Sequence, residues 1–65
     1  MLNNIKRARL TKGIKQKDFA EMLGVSQASV CNWERGISHP NVKRLNQVAN
    51  ILGITVQELI EERVS

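Results

Sequence analysis

The stretch QKDFAEMLGVSQASVCNWERG, Gln16–Gly36, decides how this chain folds. Phe19, Ala20 and Leu23 recur at i, i+1 and i+4, the spacing that gathers apolar side chains on one face of a helix. Gly24 stops that pattern, because a residue without Cβ enters the left-handed region cheaply and closes a helix there. Ser26 then offers a hydroxyl to the free N–H groups of a new helix. In that second helix, at about 100° per residue, Val30 and Trp33 share one side while Gln27, Ala28, Cys31, Asn32 and Arg35 share the other. Gly36 ends it. The start of the first helix is less well marked. Lys15 occupies the capping position and is a poor cap, offset in part by Asp18, whose charge suits the positive end of the helix.

The same grammar extends outward in both directions. Upstream, Ile5 and Ala8 face inward, with Leu2 or Leu10 at the edges of that segment, and Gly13 follows as a stop. Downstream, Pro40 forbids a helix through it and holds His39 extended. Asn41 is placed to cap a fourth helix, in which Leu45, Val48, Ala49 and Leu52 form an i, i+3, i+4, i+7 stripe up to Gly53. Thr55 and Glu58 make a T-x-x-E capping box for a short fifth helix carrying Val56, Leu59 and Ile60. No alternating run of β-branched residues occurs, so the reading is all-α. With no repeat, linker or low-complexity segment, residues 1–65 form a single domain.

A chain of 65 residues builds only a modest core and depends on efficient helix packing. Cys31 is the only cysteine, so no internal disulfide forms, and no zinc site of ordinary ligand spacing is present. A lone thiol suits a reducing cytosol. His39 is the only histidine, which removes the usual basis for a metal site or a general base. There is no glycine-rich phosphate loop and no nucleophile beside a base. The expectation is therefore a non-enzyme without cofactor, metal or small-molecule ligand. Net charge is +4 with a pI near 9.9. Lys6, Arg7, Arg9, Lys12, Lys15 and Lys17 all precede the first acid, Asp18, whereas Glu58, Glu61 and Glu62 sit at the far end. The basic half coincides with the helix–turn–helix pattern and favours an anionic partner. No apolar run approaches the roughly 20 residues of a membrane span, and MLNNIKRARL lacks the apolar centre of a signal peptide. The expected location is cytoplasmic.

These pieces occur in an order that resembles the phage-repressor and Cro family, the Xre family. They are Arg9; G-I-x-Q at Gly13 to Gln16; D-F-A-x-x-L-G-V-S at Asp18 to Ser26; W-E-R-G at Trp33 to Gly36; Pro40; and L-x-x-V-A-x-x-L-G-I at Leu45 to Ile54. The resemblance covers nearly the whole chain, from about Ile5 to Ile60. It implies a compact five-helix, lambda-repressor-like domain whose second and third helices form the helix-turn-helix. It implies no enzymatic activity, and binding to operator-like duplex DNA, most often as a twofold homodimer. It also implies a partly buried ion pair between Arg9 and Glu34. Such a pair fixes helix orientation more than it adds net stability.

On this reading the third helix enters the major groove. Its outward face lacks the Glu and Lys of an ordinary solvated surface. Gln and Asn suit adenine N6 and N7, and Ala suits a thymine methyl. Gln27, Ala28 and Asn32, with Cys31 on the same face, are the base-contact candidates. Gln16, at the opening of the second helix, is a phosphate candidate, since helix N-termini attract anions. Ser29, Arg35, Ser38, His39, Asn41, Lys43 and Arg44 surround the expected groove edge and complete that set. One module gives modest affinity, and a homodimer reading half-sites roughly 34 Å apart remedies this. Its expected surface comprises Ile51, Ile54, Val56 and Gln57. The alternative is an antitoxin-like module that grips a partner protein through the apolar C-terminal patch and the EERVS tail.

Overall fold

The computed structural model describes residues 4–60 and contains five helices: α1 (Ile5–Thr11), α2 (Gln16–Leu23), α3 (Gln27–Arg35), α4 (Val42–Leu52) and α5 (Val56–Ile60). Among the described residues there is no strand, in keeping with the all-α expectation. Every helix sends at least one side chain into a single core. It consists of Ile5, Phe19, Ala20, Leu23, Val30, Trp33, Val48, Ala49, Leu52 and Leu59. Phe19, Ile5, Leu52, Leu59, Val30 and Val48 are fully enclosed. Burying a side chain of that size is worth about 1.5–3 kcal/mol each, so the core supplies most of the drive to fold.

Three helix starts are capped as their sequences suggest. Ser26 Oγ accepts the Ser29 N–H at 3.1 Å, and Asn41 Oδ1 accepts the Arg44 N–H at 2.9 Å. Thr55 Oγ1 accepts the Glu58 N–H at 3.0 Å, while its own hydroxyl donates to Glu58 Oε1 at 3.3 Å. That capping box therefore closes hydroxyl to carboxylate. Lys15 makes no side-chain cap, as expected of its chemistry, and its extended backbone leads directly into α2. The turn between α2 and α3 rests on Gly24, whose φ of 73° lies in the left-handed region. There the Val25 N–H reaches back to the Ala20 carbonyl at 3.0 Å.

Two features depart from the apolar pattern. Leu10 is 58% exposed and belongs to no part of the core, because the inward i+4 position from Ile5 is taken by Arg9. Ala8, expected to face inward, is half-buried beside that arginine. Leu2 lies outside the described residues. The ends of the domain are tied together: the Asn4 N–H donates to the Leu59 carbonyl and its Nδ2 to the Glu58 carbonyl, both at 2.8 Å. These bonds fasten the residue before α1 to two carbonyls of α5.

Candidate nucleic-acid interface

The phase of α3 is set by Val30 and Trp33, which are 0% and 6% exposed. Their burial turns Gln27, Ala28 and Arg35 to solvent and leaves Cys31 and Asn32 half-buried at the flank of the same face. Glu34, the only acid between Gln27 and Arg44, does not join that face. It folds back against α1, where Arg9 Nε donates to its Oε2 at 2.6 Å and Arg9 Nη2 to its Oε1 at 3.1 Å. The two side chains are only 7% and 4% exposed. Arg9 Nη1 also donates to the Ile14 carbonyl at 2.8 Å, so three guanidinium nitrogens find acceptors. A buried charge needs that degree of satisfaction to be tolerated. The outward side of α3 is thereby left without an acid.

The network continues to the groove-side surface. Gln16 Nε2 donates to Glu34 Oε1 at 3.2 Å, and Gln27 Nε2 donates to Gln16 Oε1 at 3.2 Å. Gln16 and Gln27 are the first residues of α2 and α3, and these bonds hold the two helix openings side by side. The periodicity of the chain gives no sign of this contact. The only hint available was that both glutamines open their helices on either side of one short turn.

The remaining candidates fall into two groups. Ser38, His39, Asn41 and Lys43 are exposed along the loop between α3 and α4 and the first turn of α4, adjoining exposed Arg35 in sequence. The opening of α4 adds the positive end of a helix dipole to this strip. Ser29 and Arg44 are half-buried and already engaged. The Ser29 hydroxyl lies 3.0 Å from Ser26 Oγ. Arg44 Nη1 donates to the Leu23 carbonyl at 2.6 Å and to Gln47 Oε1 at 2.9 Å, bracing the end of α2 from α4. Sequence reasoning missed that bracing role, since nothing local to Arg44 points to a carbonyl 21 residues away.

Elsewhere, Ile51, Ile54 and Val56 are half-buried and Gln57 is exposed; residues 61–65, the tail of the alternative reading, lie outside the described residues. An open cleft of about 260 Å³ between α1, α4 and α5 is lined by Ala8, Leu52 and Ile54 with Arg7, Lys12 and Glu58 at its walls. It shares no residue with the α3 face. Among the described residues no three His, Cys, Asp or Glu side chains are grouped to hold a metal. No helix among them is long and apolar enough to cross a membrane.

Comparison with known proteins bears on the same segment. The helix-turn-helix family matches residues 5–59. The chain is 32% identical over 57 residues to the SPbeta prophage-derived uncharacterized HTH-type transcriptional regulator YonR of Bacillus subtilis, covering 88% of this chain and 53% of the relative. It is 34% identical to the uncharacterized HTH-type transcriptional regulator y4dJ of Sinorhizobium fredii, covering 89% and 75%. It spans about half the length of several of the curated relatives it matches. Among solved structures, SinR, the master regulator for biofilm formation, in complex with DNA superposes with a TM-score of 0.81 at 29% identity, covering 89% of this chain and 94% of that one. The SinR/SinI complex gives 0.83 at 30% identity, covering 91% and 58%. From Ile5 to Leu59, with a capped α3 turned by Val30 and Trp33 and locked to α1 through Glu34 and Arg9, the chain belongs to the Xre-type helix-turn-helix family.

Proposed function

We propose that this chain is a sequence-specific reader of double-stranded DNA in a cytoplasmic transcription regulator, with α3 in the major groove. The observation that carries the proposal is the outward face of α3: amides and small side chains, with its one acid withdrawn into a buried ion pair. A face of that kind offers donors and acceptors to base edges and repels no phosphate. Gln27, Ala28 and Asn32, with Cys31 beside them, read bases. Gln16, Ser29, Arg35, Ser38, His39, Asn41, Lys43 and Arg44 are the groups proposed to meet the backbone. The solved complex of SinR with DNA, which shares the fold, supports this assignment.

One such module buries too little surface for tight binding, so the proposal includes a homodimer on a twofold-symmetric operator, joined through Ile51, Ile54, Val56 and Gln57. Selection of preferred duplexes from a random pool tests both parts. A palindromic consensus with half-sites about 34 Å apart is expected. With six to ten phosphates contacted, affinity should fall about 10³–10⁵-fold between 50 and 200 mM salt. Enrichment of no sequence, or affinity insensitive to salt, would remove the reading. A second reading, a protein-gripping module, draws on the SinR/SinI complex and on the same half-buried Ile51, Ile54 and Val56. A chain that is monomeric in sedimentation both free and on DNA counts against the homodimer.

A further inference from the structure

The flank of α1 that faces α4 and α5 carries charge that the α3 surface does not use. At about 100° per residue, Arg7, Ala8, Thr11 and Lys12 share that flank, while Arg9 turns toward Glu34. With Leu52, Ile54 and Glu58 they line the open cleft of about 260 Å³. Its apolar floor comes from half-buried Ala8 and Ile54 and buried Leu52. No acid occurs in α1, and α4 has no basic residue of its own in its last turn. Lys12 supplies that cation from α1. Its Nζ lies 3.3 Å from where a Cβ on Gly53 would stand, and Gly53 caps the C-terminal end of α4. The negative end of the α4 dipole favours an ammonium there, so Lys12 is held at the rim of the cleft. The other polar groups of the cleft are engaged within the fold. Asn4 Nδ2 donates to the Glu58 carbonyl at 2.8 Å, and the Thr11 hydroxyl to the Arg7 carbonyl at 2.9 Å. Glu58 Oε1 accepts from the Thr55 hydroxyl at 3.3 Å. Arg7 and Lys12 are exposed, and neither side chain pairs with an acid among the described residues.

We propose that this cleft docks an acidic segment of a partner protein. One apolar side chain of that segment sits on Ala8, Leu52 and Ile54, and flanking carboxylates meet Arg7 and Lys12. The proposal goes beyond DNA reading and does not depend on it. Three observations choose the occupant. The volume falls below the roughly 300–1,000 Å³ of small-molecule sites, and the cleft is open, so it suits one anchoring side chain better than an enclosed metabolite. An apolar floor gives nothing to a phosphate backbone, and Glu58 on the wall repels one, which disfavours nucleic acid. Two unpaired cations beside an apolar floor complement carboxylates beside an apolar side chain. Arg9 and its contact with α3 lie on another side of α1, so docking leaves the reading face free.

The test selects peptides from a random library against the immobilised whole chain. Each enriched peptide is then titrated into isotope-labelled protein and followed by NMR. Enriched peptides should carry one bulky apolar residue between acids. They should shift the Ala8, Thr11 and Ile54 amides and leave those of Gln27 and Asn32 unmoved. Arg7→Glu should weaken binding about tenfold and Lys12→Gln about threefold, since both remove a cation at the rim. Arg7 is exposed and makes no side-chain contact with the core, so its variant carries the test even where Lys12→Gln loosens the end of α4. Lys17→Glu makes the same charge change as Arg7→Glu, on α2, and should alter binding about twofold at most. Equal losses for Arg7→Glu and Lys17→Glu mark general charge attraction and overturn the site. Selection of no peptide, of peptides without acids, or of peptides that shift the α3 amides instead also overturns it. Cleft amides that shift with protein concentration assign the cleft to a second copy, and a peptide displaced by duplex DNA assigns it to nucleic acid. Binding that tightens when Glu61 and Glu62 are both replaced by glutamine assigns it to the chain's own C-terminal segment. Each of these three results overturns the partner proposal. Failure of the DNA-reading proposal leaves the peptide titration unchanged, so the two fail separately.

Discussion

Arg9 and Arg44 both hold the helix-turn-helix from outside it, Arg9 from α1 and Arg44 from α4, but by different chemistry. Arg9 meets a carboxylate through two nitrogens and a carbonyl through the third, with its side chain 7% exposed. Arg44 is half-buried and uses neutral oxygens, the Leu23 carbonyl and the Gln47 amide. The first arrangement encloses two opposite charges, each of which depends on the other for solvation. The second lets a partly hydrated cation brace the end of α2. The contrast shows that two arginines in similar mechanical roles differ in what their loss costs, and burial of the counter-charge is what separates them.

The largest expected effect is at Glu34. Glu34→Ala strands the Arg9 guanidinium and should cost about 3–5 kcal/mol. In a domain of this size that lowers the melting midpoint by roughly 12 °C or more, read by circular dichroism. An unchanged midpoint would break the comparison at its strong end. Replacing both partners, Arg9→Met with Glu34→Leu, should recover most of the loss, because an apolar pair of similar volume pays no desolvation. Arg44→Met should cost about 1–2 kcal/mol in the same melt, since water can reach the Leu23 carbonyl once the arginine is gone. A loss equal to that of Glu34→Ala would erase the distinction between the two. Ser26→Ala removes a cap at the turn that neither arginine touches and should cost about 1 kcal/mol, which sets the scale for a purely local interaction. The smallest effect on stability is at exposed Lys43, beside Arg44. Lys43→Ala should leave the melt within about 0.5 kcal/mol. On duplex DNA it should weaken binding evenly across sequences and reduce the salt slope by about 1. A sequence-dependent loss would instead place Lys43 against a base.

Gly-Ile or Gly-Val occurs four times, at Gly13, Gly24, Gly36 and Gly53, and shows where legibility stops. In each case the apolar N–H reaches back five residues, to the carbonyl of Arg9, Ala20, Asn32 or Ala49. That bond is local, and the helix end can be read from the residues. Ile14, Val25 and Ile54 then pack against the core, whereas Ile37 stays 61% exposed. The dipeptide is the same type, and the outcome depends on whether another helix stands nearby to cover it. Leu10 fails in the core for a related reason: periodicity could not reveal that Arg9 would occupy the inward position.

The sequence by itself determined the number of helices, their starts at Ser26, Asn41 and Thr55, and the side of α3 that Val30 and Trp33 bury. Each of these depends on bonds or spacings of three to five residues, which the chain order states directly. The Arg9–Glu34 pair was legible only through the family resemblance, not through any spacing. Tertiary structure alone decided that Gln16 bridges Glu34 and Gln27, and that Arg44 serves the Leu23 carbonyl. Those contacts span 18, 11 and 21 residues. Side chains meet across such separations only after the core has fixed how the helices lie, and the direction of each hydrogen bond is then dictated by the charge that burial enclosed.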